Sequence, residues 1–359
     1  MGTAEHAYSK TDRPETEVPL GLQAFYERRQ KDEWQATVTR LDALRQSFAE
    51  QRRQVFSPDL RDRIAQVARS GRRDDPRGPG LRYRSLVEAR NTGLDLNALK
   101  RLHKRAYGEV GELVRGHEAF HRHETVVGSV ADIFKQPPLV YVAPDPDKEQ
   151  LFLPPFGGCW DRLEQNQATG DGAIVENSSY LDCAGRMGSR LIARNNSASD
   201  AEILCAYREN GYLVPFKTLR TGILQVKADL SALICRHHIS TYDEFGWSDF
   251  HATTRGRLVL AVFWNWEDVE PANEVSDQWF ASGLDCSGDG ESFPGTSIQA
   301  VPGERRIINL FTEMAFPAGR KLWVYVGVAD RIWTFLNDVS IDISIDSAWQ
   351  LNSLAVRSI

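Results

Sequence analysis

The sharpest chemical string in the chain is His117-Glu118-Ala119-Phe120-His121. On a helix, HExxH spacing sets two imidazoles one turn apart on one face. They can then share a zinc ion while the glutamate polarises the metal-bound water. Read that way, the segment makes a zinc-dependent hydrolase, with His117 and His121 as metal ligands. The flanking residues argue otherwise. Arg115 and Gly116 precede the string, Arg122 follows it, His123 falls on the wrong face, and no third ligand stands out. The alternative is a solvated, His-rich helix, or a helix seam that half-buries His103 and His117.

A second string, Asp285-Cys286-Ser287-Gly288-Asp289-Gly290, matches the first half of a calcium loop. It has side-chain oxygens at positions one, three and five and glycine at six. Asp285, Ser287 and Asp289 are the candidate calcium ligands. Thr296 stands where a bidentate Glu is needed and Pro294 interrupts the loop, which excludes an EF-hand. A plain turn competes with the metal reading, because turns favour Asp, Ser and Gly for their own conformational reasons.

Aromatic residues form the third set. Trp247, Trp264, Trp266, Trp279, Trp323, Trp333 and Trp349 all lie in the second part of the chain. Tryptophan rings stack on sugars or anchor protein partners. Trp264 and Trp266 alternate along an apolar strand and read as core. Trp247 (DEFGWSDF) and Trp279 (SDQWF) sit in polar, loop-like sequence, and they are the candidate ligand-binding residues.

Other catalytic signatures are missing. There is no GxSxG, no GxxxxGK[ST] and no strand–GxGxxG–helix unit. Cys235 lies close to His237 and His238 in sequence, but adjacent strand residues point to opposite faces, which speaks against a Cys–His nucleophile.

These candidates sit on two unlike halves. In Leu20–Phe56, apolar residues Trp34, Val38, Leu41, Leu44 and Phe48 recur at helical steps. Ser57 reads as the N-cap of a short second helix with Pro58 in its first turn, and Tyr83–Arg90 reads as a third. Leu99, Ala106, Leu113, Phe120, Val127 and Phe134 stand seven apart, with His103, Val110, His117, Glu124 and Ala131 as a second row. That is one stripe on a long helix, fit for a hairpin, a bundle or an oligomerising stalk.

At Pro137-Pro138 the period changes to two. Strands are expected at LVYVAP (139–144), near 173–181, 201–207, 221–228, 232–239 and 305–312, and in RLVLAVFWNW, KLWVYVGV and VSIDISID. The last places Val339, Ile341, Ile343 and Ile345 inside and Ser340, Asp342, Ser344 and Asp346 outside. Such alternation marks an antiparallel sheet with one wet face. The expected architecture is α+β in two domains. A disordered tail (1–18) precedes a helical hairpin or bundle (19–136), and an all-β antiparallel sandwich of jelly-roll type follows (137–359).

The chain has 359 residues and a net charge of −6. Residues 1–137 carry +5 and residues 138–359 carry −11, and only Trp34 of nine tryptophans lies in the first part. The arginines of 61–90 are interleaved with Asp59, Asp62, Asp74 and Asp75, a salt-bridged face rather than a nucleic-acid groove. The first residues lack the basic and apolar regions of a signal peptide, and no apolar run is long enough for a transmembrane segment. The expectation is a soluble protein, cytoplasmic or exported without a signal. Its five cysteines are odd in number and lack CxxC spacing, so they read as reduced, mostly buried residues.

The functional expectation is a non-catalytic binding or assembly protein. Its helices would serve self-association, or docking on a protein partner or on the sandwich of the same chain. Its sandwich would recognise a glycan or a protein. The alternatives are a pore-forming or injected toxin and the zinc hydrolase. Calcium and zinc are the only cofactors the residues suggest.

Overall fold

In a computed structural model the chain is described over residues 20–57, 59–60, 62, 91, 94–120, 149–169, 172–195, 201–243, 249–263, 273–277, 285–289, 293–337 and 339–359. Two long helices come first, α1 (Leu20–Val55) and α2 (Leu96–Phe120). The strands follow: β1 (Glu149–Phe152), β2 (Cys159–Ala168), β3 (Ile174–Ser179), β4 (Arg186–Asn195), β5 (Ala201–Lys217), β6 (Gly222–Asp243) and β7 (Asp249–Phe263). After them come β8 (Asn273–Asp277), β9 (Asp285–Asp289), β10 (Phe293–Ala300), β11 (Arg305–Phe316), β12 (Lys321–Asn337) and β13 (Val339–Ser358).

The strands form two antiparallel sheets. Sheet A runs β10-β6-β13-β4-β3, with β11 beside β10 on β6 and β1 beside β4 on β13. Sheet B runs β2-β5-β12-β7-β8, with β9 also on β7. From β4 onward the chain passes repeatedly between the sheets, and its last strand, β13, pairs with β4. These are the linked Greek keys of a jelly-roll sandwich. The segments expected as separate strands at 221–228 and 232–239 are one strand, β6. It pairs with β13 along its length, while β11 and β10 take successive halves of its other edge.

Alternation decides which side chains fill the interior. From β12, Leu322, Val324, Val326 and Val328 point inward, as do Leu258, Leu260 and Val262 of β7, all in one buried cluster with Trp349. A second interior cluster holds Ile332, Leu336, Ile341, Ile343 and Ile345. Between the two lies a polar layer. Asp330 of β12 is fully buried and accepts hydrogen bonds from Ser189 Oγ at 2.6 Å and from Ser347 Oγ. Nearby, Asn210 Oδ1 accepts from the Gly188 amide at 2.8 Å, and its Nδ2 donates to the Gly188 carbonyl at 2.7 Å. Gly188 has φ +132°, and a Cβ there would collide with the Ser347 carbonyl, so the position requires glycine.

The helices form a third layer on the outer face of sheet B. Trp34, Val38, Leu41 and Phe48 of α1 and Ala106 and Val110 of α2 share one buried cluster with Tyr207, Tyr325, Trp333 and Phe335. Trp34 stacks on Trp333 with ring centroids 4.7 Å apart, and Phe48 meets Phe335 edge-on at 5.7 Å. Asp95 caps α2, its Oδ1 accepting from the amides of Asn97 and Ala98 at 3.0 and 2.9 Å. The Leu60 amide donates to Ser57 Oγ at 3.3 Å, as expected of an N-cap. The seven-residue stripe is therefore used within the chain. Leu99, His103, Ala106 and Val110 are buried and Leu113 packs against the shared cluster, in place of a free seam on an independent bundle or stalk. His117 and Phe120 continue the stripe on α2, their side chains outside the described set. Glu124, Val127, Ala131 and Phe134, the helix expected at 83–90 and the strand expected at 139–144 lie outside the described residues.

Candidate ligand-binding face

With the helices on sheet B, the outer face of sheet A is the sandwich face left open by the described residues. Its side chains follow from register, because residues opposite one another on paired strands share a face. One row crosses Ser178, Arg190, Asp346 and Arg236 on β3, β4, β13 and β6. The next crosses Glu176, Ile192, Ser344 and His238, and the third Ile174, Arg194, Asp342 and Ser240. The grid spans about 14 Å across strands and about 13 Å along them, from standard strand spacings.

Apart from the exposed Ile174 and the buried Ile192, the grid is polar and organised by charge. Arg190, Arg194, Arg236, Glu176 and Ser178 are exposed; Asp342, Asp346, Ser344 and His238 are partly so. Arg194 Nε lies 3.0 Å from Asp342 Oδ1, with both side chains nearly half exposed (48% and 47%). Tyr180, just beyond β3, donates from its hydroxyl to Asp346 Oδ1 at 2.8 Å. Burial, then the bond to Asp346 and its charge, push the tyrosine up to about 12, which keeps it a donor at neutral pH. Asp342 and Asp346 lie four residues apart on one strand, about 13 Å by rise, beyond the roughly 5–9.5 Å spacing of hydrolytic carboxylate pairs.

Only part of the sequence-derived candidate set falls on described residues. Trp247, Trp279 and His121 lie outside them. His117 belongs to α2, but its side chain is outside the described set. Asp285, Ser287 and Asp289 fall on β9, whose backbone pairs antiparallel with Asp249–Thr253 of β7, so the segment expected as a loop is an edge strand. Among the described residues no cluster of three His, Cys, Asp or Glu groups is arranged for a metal, and no helix is long and apolar enough to cross a membrane. Trp34, Trp160, Trp323, Trp333 and Trp349 are all buried, so none offers a stacking platform.

Two histidines are sealed in. His103 lies between the helices, its ring 5.2 Å from Phe48, and burial followed by the Arg52 charge lowers it to about 3. His237 contacts Thr254 Oγ1 through Nδ1 at 2.8 Å, and burial followed by Arg255 lowers it to about 4. Both are neutral at physiological pH. Sequence reasoning placed Asp342 and Asp346 on a wet face. It missed the arginines that β4 and β6 bring beside them, because register between strands so distant in sequence leaves no local signal.

No family model matches the chain, and no curated protein matches it. Solved structures with some likeness include carbohydrate-binding modules. One is the C-terminal CBM6 of the Zobellia galactanivorans laminarinase LamC, with 9% identity over 55% of this chain and 98% of that one and a TM-score of 0.14. A second is a family 11 carbohydrate-binding module from Clostridium thermocellum, at 12% identity, covering 57% and 96%, with a TM-score of 0.15. A third is TmCBM61, at 7% identity, covering 50% and 86%, with a TM-score of 0.11.

Proposed function

We propose that the chain is a non-catalytic recognition protein whose sandwich binds a hydroxyl-rich ligand, a glycan, on the open face of sheet A. One observation carries this reading: three adjacent strands, β4, β13 and β6, set cations and carboxylates side by side on a face that the helices leave uncovered. Guanidinium and carboxylate groups take neighbouring hydroxyls through paired hydrogen bonds. The charge carried by the two outer rows of the grid disfavours a protein-binding role, because the cores of protein interfaces are depleted in charge. Packed on sheet B, the helices stiffen the scaffold from behind.

The test is a glycan array probed with the full chain, followed by titration of the selected glycan against Asp346→Ala and Arg236→Ala. Loss of one good charge-assisted contact costs about 1.5–3 kcal/mol, so each variant is expected to bind roughly ten- to a hundredfold more weakly. Undiminished binding by both variants would refute the assignment of this face.

A further inference from the structure

Two cysteines 24 positions apart meet at the edge between the sheets. Cys159 opens β2 in sheet B, and Cys183 sits in the turn between β3 and β4 of sheet A. Their sulfurs lie 3.0 Å apart. Cys183 is exposed and Cys159 partly buried, whereas Cys205 and Cys235 are enclosed in the core. The two thiols are held in place by hydrogen bonds on both sides of the contact, and the Tyr212 hydroxyl, opposite Cys159 on β5, donates to the Asp182 carbonyl and joins them. On the Cys183 side, Asp182 Oδ1 accepts from the amides of Ala184 and Arg186 at 2.9 and 3.1 Å. Gln350 Nε2 donates to the Ala184 carbonyl at 2.8 Å, and the Phe156 amide donates to the Cys183 carbonyl at 3.0 Å. On the Cys159 side, the Leu213 amide donates to the Gly158 carbonyl at 2.8 Å, and a Cβ on Gly158 would collide with the Leu213 carbonyl.

We propose that Cys159 and Cys183 form a redox pair that closes to a disulfide tying the two sheets together. The sulfurs need to approach by only about 1 Å to reach bonding distance. The co-reactant is a small-molecule disulfide such as oxidised glutathione. The Cys183 thiolate attacks one of its sulfurs, forming a mixed disulfide and expelling one small thiolate. Cys159 gives its proton to solvent and attacks Sγ of Cys183, which expels the second. Two protein thiols are oxidised, one small disulfide is reduced to two thiols, and the protons balance. Exposure makes Cys183 the first sulfur to react. Burial, then the Cys183 sulfur beside it, push Cys159 up to about 12, so it serves as the resolving thiol. The closed bond encloses β2 and β3 in a covalent loop and steadies the turn that feeds β4.

The experiment treats the native full-length chain with oxidised glutathione, blocks free thiols and maps the peptides. The expected result is a crosslinked pair containing Cys159 and Cys183, reversed by dithiothreitol and accompanied by a higher thermal midpoint. Cys183→Ser should abolish both the crosslink and the shift. Glutathione retained on Cys183 with Cys159 still alkylatable, or a crosslink from either residue to Cys286 instead, would overturn the proposal. The mapping needs only the natural chain, so a poorly folding variant does not obscure the answer.

Discussion

The two sheets of the sandwich solve burial differently. In sheet B, β7 and β12 bury both faces: Leu258, Leu260 and Val262 point into the sandwich, while Val259, Ala261 and Phe263 lie under the helix layer. In sheet A, β13 buries Ile341, Ile343 and Ile345 and turns Asp342, Ser344 and Asp346 outward. The difference separates support from recognition. A strand sealed on both sides can only contribute stability, whereas a strand with one wet face can carry ligand contacts at little structural cost.

The largest expected effect lies on the covered side. Trp333→Ala removes the ring that stacks on Trp34, and should cost about 3–5 kcal/mol in urea unfolding. On the open side, Asp342→Ala loses one half-exposed pair with Arg194 and should cost no more than about 1 kcal/mol. Equal losses would break the contrast between the two faces.

The interior between the sheets gives a pH test. Burial raises the Asp330 carboxyl from 3.8 to about 7, against the two serine hydrogen bonds that lower it. An acid with a raised native pKa stabilises the fold below its unfolded value, and that contribution is lost as pH rises through about 7. Asp330→Asn should therefore flatten the fall in stability across that range, read as thermal midpoint against pH. An unchanged profile would remove Asp330 as its source.

An effect of opposite sign belongs to the helix seam. His103 has a lowered native pKa, so its contribution is present above 6.5 and is lost as pH falls toward about 3. His103→Leu should shallow the acid limb of the same profile. If the limb keeps its slope, the histidine is not sealed as described.

Legibility in the sequence followed the same divide. VSIDISID announced its inside and outside residues, and all eight fall as alternation requires. KLWVYVGV gave Leu322, Val324, Val326 and Val328 as one face, but Trp323 and Tyr325 between them are also buried, because α1 and α2 supply a second apolar surface. The unbroken apolar run was the available sign that this strand is covered twice. The helical stripe was legible too; its partner was not, since an apolar seam fits a second copy as well as a neighbouring sheet. Half of the candidate face was legible for a similar reason. Asp342 and Asp346 reveal themselves by period two, whereas Arg190 and Arg236 join them only through pairing with distant strands. The Cys159–Cys183 contact is of the same kind, set by a turn and a strand start that no spacing rule connects.

The central claim is that recognition belongs to the open face and support to the covered one. Hydroxyl-radical footprinting of the full chain, with and without the glycan selected on the array, tests it most directly. The account predicts that ligand protects Tyr180 and His238 and leaves the reactivity of α1 and α2 unchanged. Protection on the helices, with Tyr180 and His238 as reactive as in the free protein, would contradict it.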